Sequence, residues 1–181
     1  MQIVEKIRDR LACWYNKTMP QKLIIIRGNS GSGKSTIASR IRSELGDKVM
    51  FLQQDVLRRD ILKVKDKVGN PVVGLIKKLA IYGKETGYDV VLEGILSENK
   101  YGDMLRSLTK EFDLAYVYYL DIPFEETLRR HNTRHKNSDF GEHEMREWWK
   151  EKDYLGVENE RILSENLSED ELVELILSDV V

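Results

Sequence analysis

The residues with the clearest chemistry are consecutive: Gly28, Asn29, Ser30, Gly31, Ser32, Gly33, Lys34 and Ser35, with Thr36 next. Gly28, Gly33, Lys34 and Ser35 meet the spacing G-x-x-x-x-G-K-[ST]. Glycine is required there because the backbone must turn tightly and bring its N–H groups onto phosphate oxygens. A helix starting after the loop turns its positive end toward the same anion. Lys34 supplies a point charge to the β and γ phosphates, and Ser35 a hydroxyl to magnesium. The pattern implies a bound nucleoside triphosphate with magnesium, ATP in the first instance.

Two carboxylates follow apolar runs. Asp55 stands in Gln54-Asp55-Val56-Leu57-Arg58. A carboxylate at a strand's carboxyl edge beside the loop can accept the proton of an attacking hydroxyl, or help hold the metal. The same residues also fit a helix N-cap with Arg58 and Arg59 on a solvated face. Glu93 stands in Val90-Val91-Leu92-Glu93-Gly94. It suits the second acidic position of a phosphate-loop fold, holding magnesium through water or orienting the acceptor, and Gly94 lets backbone pass close to a ligand. Either acid is a candidate base. Arg130 and Arg134 are four apart and share a helix face. His131, His135 and His143 match no zinc motif. Asp139-Phe140-Gly141 spells a protein-kinase tripeptide with the other protein-kinase motifs missing. Trp148 and Trp149 fit packing under a lid better than an acceptor pocket.

These residues need a scaffold, and the hydrophobic pattern supplies one. Strands are expected over Lys22 to Arg27, Lys48 to Gln53, Tyr88 to Leu92, Leu114 to Leu120 and Arg161 to Ser164. Helices are expected over Ser35 to Leu45, Val72 to Thr86, Tyr101 to Phe112, Phe124 to Arg134, Glu142 to Lys152 and from Ser168 to about Leu177. Asp55 to Leu62 is a short helical stretch, and Gly69-Asn70-Pro71 a turn. Alternation of this kind predicts an α/β fold, a mostly parallel sheet of about five strands between helices. Ligands of such sheets sit at the carboxyl ends of the strands. The chain reads as one domain over 1–181, with an N-terminal helix in 1–20. A small lid is expected within 129–145, its polar part running from His135 to Gly141.

Composition sets outer limits. The chain has 181 residues, 41% hydrophobic and 33% charged, which suits a globular domain rather than a disordered one. The formal net charge of -2 gives no basic field for nucleic acid. No apolar run approaches the roughly 20 residues of a membrane helix, and the N-terminus lacks a signal peptide's apolar core. A cytoplasmic protein is expected. Cys13 is the single cysteine, so no internal disulfide forms; beside Trp14 and Tyr15 it reads as a small hydrophobe.

From Lys22 onward, the loop, Asp55, Glu93 and the arginine pair resemble the small phosphate-loop kinases. That group includes zeta-toxin-type kinases, chloramphenicol phosphotransferase, gluconate kinase and the kinase domain of polynucleotide kinase; adenylate kinase is a more distant likeness. The resemblance implies a three-layer phosphate-loop NTPase fold and transfer of a γ-phosphoryl group to a hydroxyl of a small molecule. It implies that Asp55 is the base and that Arg58, in Asp-x-x-Arg, holds the acceptor, with Arg59 competing for that role. By likeness to adenylate kinase, Arg130 covers the base of the nucleotide and Arg134 stabilises charge on the transferred group. A guanine reader is not met, since in Asn99-Lys100-Tyr101-Gly102-Asp103 the aspartate falls one place late. Two rival readings are a nucleotide or nucleic-acid end kinase, and a regulatory or toxin-like nucleotide binder with little turnover.

Overall fold

The computed structural model describes residues 20–133 and 141–181. The expected N-terminal helix, Cys13, Trp14, Tyr15, Arg134, His135, and the expected lid segment apart from Gly141 lie outside them.

Five strands form one sheet: β1 (Lys22–Gly28), β2 (Val49–Gln53), β3 (Asp89–Gly94), β4 (Leu114–Asp121) and β5 (Glu160–Ser164). Their order is β2-β3-β1-β4-β5, and every pairing is parallel, so the expected mostly parallel sheet is wholly parallel. Among the described residues six α-helices accompany it: α1 (Lys34–Leu45), α2 (Val72–Glu85), α3 (Glu98–Glu111), α4 (Phe124–Asn132), α5 (Glu142–Trp148) and α6 (Glu169–Val180).

The apolar run of β1 is buried on both faces, and its alternation divides the core. Leu23 and Ile25 point to one side, where Ile76 and Ala80 of α2 and Leu105 and Leu108 of α3 pack. Ile24 and Ile26 point to the other, against Ile37 and Ile41 of α1 and Val173 and Ile176 of α6. The result is three layers with β1 at the centre. The chain leaves β1 for β2 on one side, then crosses from β3 to β4 on the other. This divergence opens a crevice at the strands' carboxyl ends.

Several element boundaries differ from the sequence pattern for physical reasons. α3 begins at Glu98 rather than Tyr101, because Asp153, remote in sequence, accepts the Glu98 N–H at 2.9 Å and caps the helix. α5 ends at Trp148 rather than Lys152, since Trp149 is extended and the Lys150 backbone is held by a side chain of the phosphate loop. The stretch after β2 is a π-helical segment over Val56–Ile61. At α6, which starts after Ser168 as expected, Ser168 and Glu171 form a capping box, and the helix runs on to Val180.

Candidate functional site

The phosphate loop leaves the end of β1 through glycines that the backbone requires. Gly31 has φ +80°, and a Cβ there would stand 2.7 Å from the Thr127 carbonyl oxygen. Gly28 lies so close to β4 that its Cβ would approach the Leu120 carbonyl oxygen to 2.9 Å. Gly33 caps α1 without any side-chain bond, and no acid sits in the helix's first turn. The helix end is thus shaped for an external anion rather than for its own cap. Ser32 Oγ is buried with no hydrogen-bond partner among the described residues. A buried orphan hydroxyl inside a glycine cradle fits a phosphate ligand.

The remaining loop residues have distinct positions. Lys34 Nζ donates to the Asn29 carbonyl at 3.2 Å, across the mouth of the loop. Ser35 Oγ donates to Glu93 Oε1 at 2.8 Å. Glu93 is buried at the end of β3, next to β1 in register with Ile26. The pair joins the hydroxyl suited to a magnesium ion to a carboxylate suited to hold that ion through water. Thr36 is exposed, and its N–H donates to the Gly33 carbonyl at 3.1 Å. Arg130 Nη1 donates to the Ser32 carbonyl at 3.1 Å, and its Nε to Glu126 at 2.6 Å. Hydrogen bonds from Arg129 and Arg130 hold the Glu126 carboxyl down at about 2.

Asn29 points away from the loop's mouth. Its Nδ2 donates to the Lys150 carbonyl at 2.7 Å, and its Oδ1 accepts the Lys150 N–H at 3.0 Å. This two-way clasp ties the loop to the chain that follows α5. Beneath it lies Arg27, fully buried at the end of β1. Its guanidinium donates twice to the Leu96 carbonyl, at 3.1 and 3.0 Å, and pairs with Asp153 and Glu160, both at 3.1 Å. Burial lowers the Arg27 pKa against these carboxylates. Leu96 has φ 45°, a left-handed conformation unusual for a branched side chain. It is fixed by Arg27 on its carbonyl and by Gln54, whose Oε1 accepts the Leu96 N–H at 3.2 Å.

Asp55 does not cap the π-helical segment that follows it. Its carboxylate accepts from Arg58 Nη2 at 2.8 Å and lies 3.7 Å from Arg59 Nε, with the side chain 59% exposed. Of the two competing arginines, Arg58 makes the closer contact and is the more buried. π-helical turns concentrate at functional positions.

A cavity of about 520 Å³ joins these parts, reaching from Ser30 of the loop to Asp55. Arg58, Arg59, Lys65, Lys100 and Lys150 line it, against Asp55, Asp66 and Glu147. Gln54 and Tyr101 brace its floor: Gln54 Nε2 donates to Tyr101 Oη at 2.9 Å, and that hydroxyl donates to Asp66 at 2.7 Å. The two tryptophans divide. Trp148 lines the cavity, whereas Trp149 packs edge-on against Phe124 at 5.1 Å between ring centres. The structure thus brings Ser35 together with Glu93, Arg58 with Asp55, and Arg130 with the loop. The sequence pattern did not single out Arg27, the Asn29 clasp or the Gln54–Tyr101–Asp66 floor; a charge closing the apolar run Leu23 to Ile26 was the one available signal.

Residues 23–154 match the family model described as AAA domain. The chain belongs to the AAA-domain family. No curated protein matches the sequence. Among solved structures, this AAA-domain fold resembles a gluconokinase from Sinorhizobium meliloti (TM-score 0.67, 18% identity, 88% of this chain and 90% of that one). It also resembles a sugar kinase from Janibacter sp. (TM-score 0.67, 18% identity, 88% and 94%). A third is the APS kinase of Mycobacterium tuberculosis, solved with AMPPNP and APS (TM-score 0.64, 18% identity, 89% and 98%). The fold is that of the small phosphate-loop kinases. No described helix is long and apolar enough to cross a membrane.

Proposed function

We propose that this chain is an ATP- and magnesium-dependent kinase that transfers the γ-phosphoryl group to a hydroxyl of a small molecule. The observation that carries the reading is the cavity running from Ser30 of the phosphate loop to the Asp55 carboxylate. A mere nucleotide binder has no need of a cavity that leads from the loop to a carboxylate.

In this reading the loop amides, Lys34 and the start of α1 hold the triphosphate of the donor. Magnesium, when bound, neutralises charge on the β and γ phosphates. Ser35 would be its hydroxyl ligand, and Glu93, which accepts the Ser35 hydrogen bond, would steady it. Asp55 accepts the proton of the acceptor hydroxyl as that oxygen bonds to the γ phosphorus. The bond to the bridging oxygen breaks, and ADP leaves. Arg58 orients Asp55 and meets the acceptor. The chain supplies mostly positioning and electrostatics, which is what phosphoryl transfer demands.

A nucleotide acceptor is the second reading, and the 2.8 Å contact between Asp55 and Arg58 in the Asp-x-x-Arg arrangement favours it. A screen of hydroxylated compounds by coupled ADP release tests both, with Lys34→Ala as the control. ADP formed only with one added class of compound supports the reading. ATP bound with no acceptor-dependent ADP release from any class contradicts it.

A further inference from the structure

Cations outnumber carboxylates around the cavity, five to three, although the chain as a whole carries a formal net charge of -2. The contacts within the wall sharpen this imbalance. Arg58 and Arg59 share Asp55, and Lys100 pairs with Asp66 at 2.8 Å. Lys65 and Lys150 also line the cavity, and among the described residues neither forms an ion pair with a carboxylate; Glu147 of α5 is the third acid of the lining. The backbone around Lys65 is held by its neighbours. Val64 donates its N–H to the Arg58 carbonyl at 3.0 Å and accepts from Arg58 Nη1 at 3.2 Å, and Lys67 donates to the Lys65 carbonyl at 3.1 Å.

The cavity also holds unused polar groups. Ser97 Oγ is buried, lines the cavity and has no partner among the described residues. Arg58 Nε is likewise buried and unpartnered. Buried donors of this kind are normally matched, and a ligand oxygen is the natural match. The volume suits a small molecule, and the Trp148 ring gives it an apolar wall.

We propose that this cavity selects an acceptor carrying its own negative charge, a hydroxylated carboxylate or phosphate ester, over its neutral counterpart. Lys65 and Lys150 face the anionic group, and Ser97 bonds one of its oxygens or hydroxyls. The physical need is specific. An anion brought beside a triphosphate is repelled, and cations lining the cavity offset that repulsion. The inference rests on the kinase reading for the word acceptor, but its binding content stands apart.

The test separates the two. Protein saturated with magnesium and a nonhydrolysable ATP analogue is titrated calorimetrically with matched pairs: gluconate against glucose, glycerol phosphate against glycerol, adenosine monophosphate against adenosine. At least one anion is expected to bind about tenfold more tightly than its neutral partner, more weakly as salt rises. Lys65→Glu should remove that advantage and Lys65→Ala reduce it, with affinity for the ATP analogue unchanged. Equal affinity within every pair, no binding by any compound, or an unaltered preference in Lys65→Glu overturns the proposal. Selective anion binding with no phosphoryl transfer to any of these anions leaves the site assignment standing and counts against the kinase reading alone.

Discussion

Replacing Arg27 with alanine should destabilise the chain by about 3–4 kcal/mol, near the lower end of the range for breaking a buried ion pair. The figure follows from what the substitution strands. Asp153 and Glu160 have side chains only 13% and 4% exposed, and each loses a guanidinium at 3.1 Å. Neither is left bare. Glu160 keeps the Leu155 and Gly156 N–H groups at 2.9 and 2.8 Å, and Asp153 keeps the Glu98 N–H at 2.9 Å. Those bonds hold the loss below the top of the range. The Leu96 carbonyl loses both its Arg27 donors, which adds to it and loosens the left-handed turn above the cavity. For a chain of this size the change corresponds to a drop in Tm of about 6–16 °C. Urea and thermal unfolding measure it directly. A loss under about 1 kcal/mol would refute the view that Arg27 holds the phosphate loop, Leu96 and β5 together.

Lys34→Ala should abolish phosphoryl transfer while leaving the fold intact, because Lys34 lies at the loop's mouth and packs little of the core; near-normal turnover by a folded variant contradicts the loop assignment. Glu93→Gln keeps a hydrogen-bonding partner for Ser35 but loses the charge, and should lower the magnesium affinity of the ATP-bound protein by roughly 10- to 100-fold, read from titrations at several magnesium concentrations. Unchanged magnesium affinity would remove Glu93 from the metal's surroundings. At alkaline pH the fold should weaken. Burial raises the pKa values of Tyr101 and Tyr118, and lifts that of Tyr119 to about 12. The unfolded chain ionises near the usual value of about 10, so the stabilisation is complete below that pH and is lost as pH climbs from there through the folded values. Tyrosinate absorbance should rise together with loss of structure; independent titration at the usual value with the fold intact would contradict it.

What was legible in the sequence had a local cause. Consecutive glycines with Lys34 and Ser35 specify the loop because its chemistry is contained in one short segment. Leu23 to Ile26 specify a buried central strand, and Glu93 after Val90 to Leu92 a carboxylate at a strand end. The unread features depend on partners far apart in the chain. Asn29 meets Lys150 across 121 positions, and Arg27 meets Asp153 and Glu160 across 126 and 133. No period or spacing encodes such contacts. The start of α3 is not legible in the local sequence because its cap, Asp153, lies 55 residues away. The π-helical turn was hidden for a different reason: Val56, Leu57 and Ile61 give the same apolar spacing that an ordinary helical turn would. The neighbouring tryptophans could be separated only by knowing where α5 stops, which the Asn29 clasp decides.

The central claim is that Asp55 faces a hydroxyl acceptor beside ATP on the phosphate loop. Asp55→Asn tests it most directly, since it keeps the size and hydrogen-bonding capacity of the side chain but removes the basic site. The measurement is transfer of labelled γ-phosphoryl from ATP to the acceptor by wild type and variant, with ATP affinity measured in parallel. ATP-magnesium binding within a few-fold of wild type and a transfer rate lower by roughly a hundredfold or more are expected. An unchanged transfer rate would contradict it and move the base to another residue, Glu93 first among them.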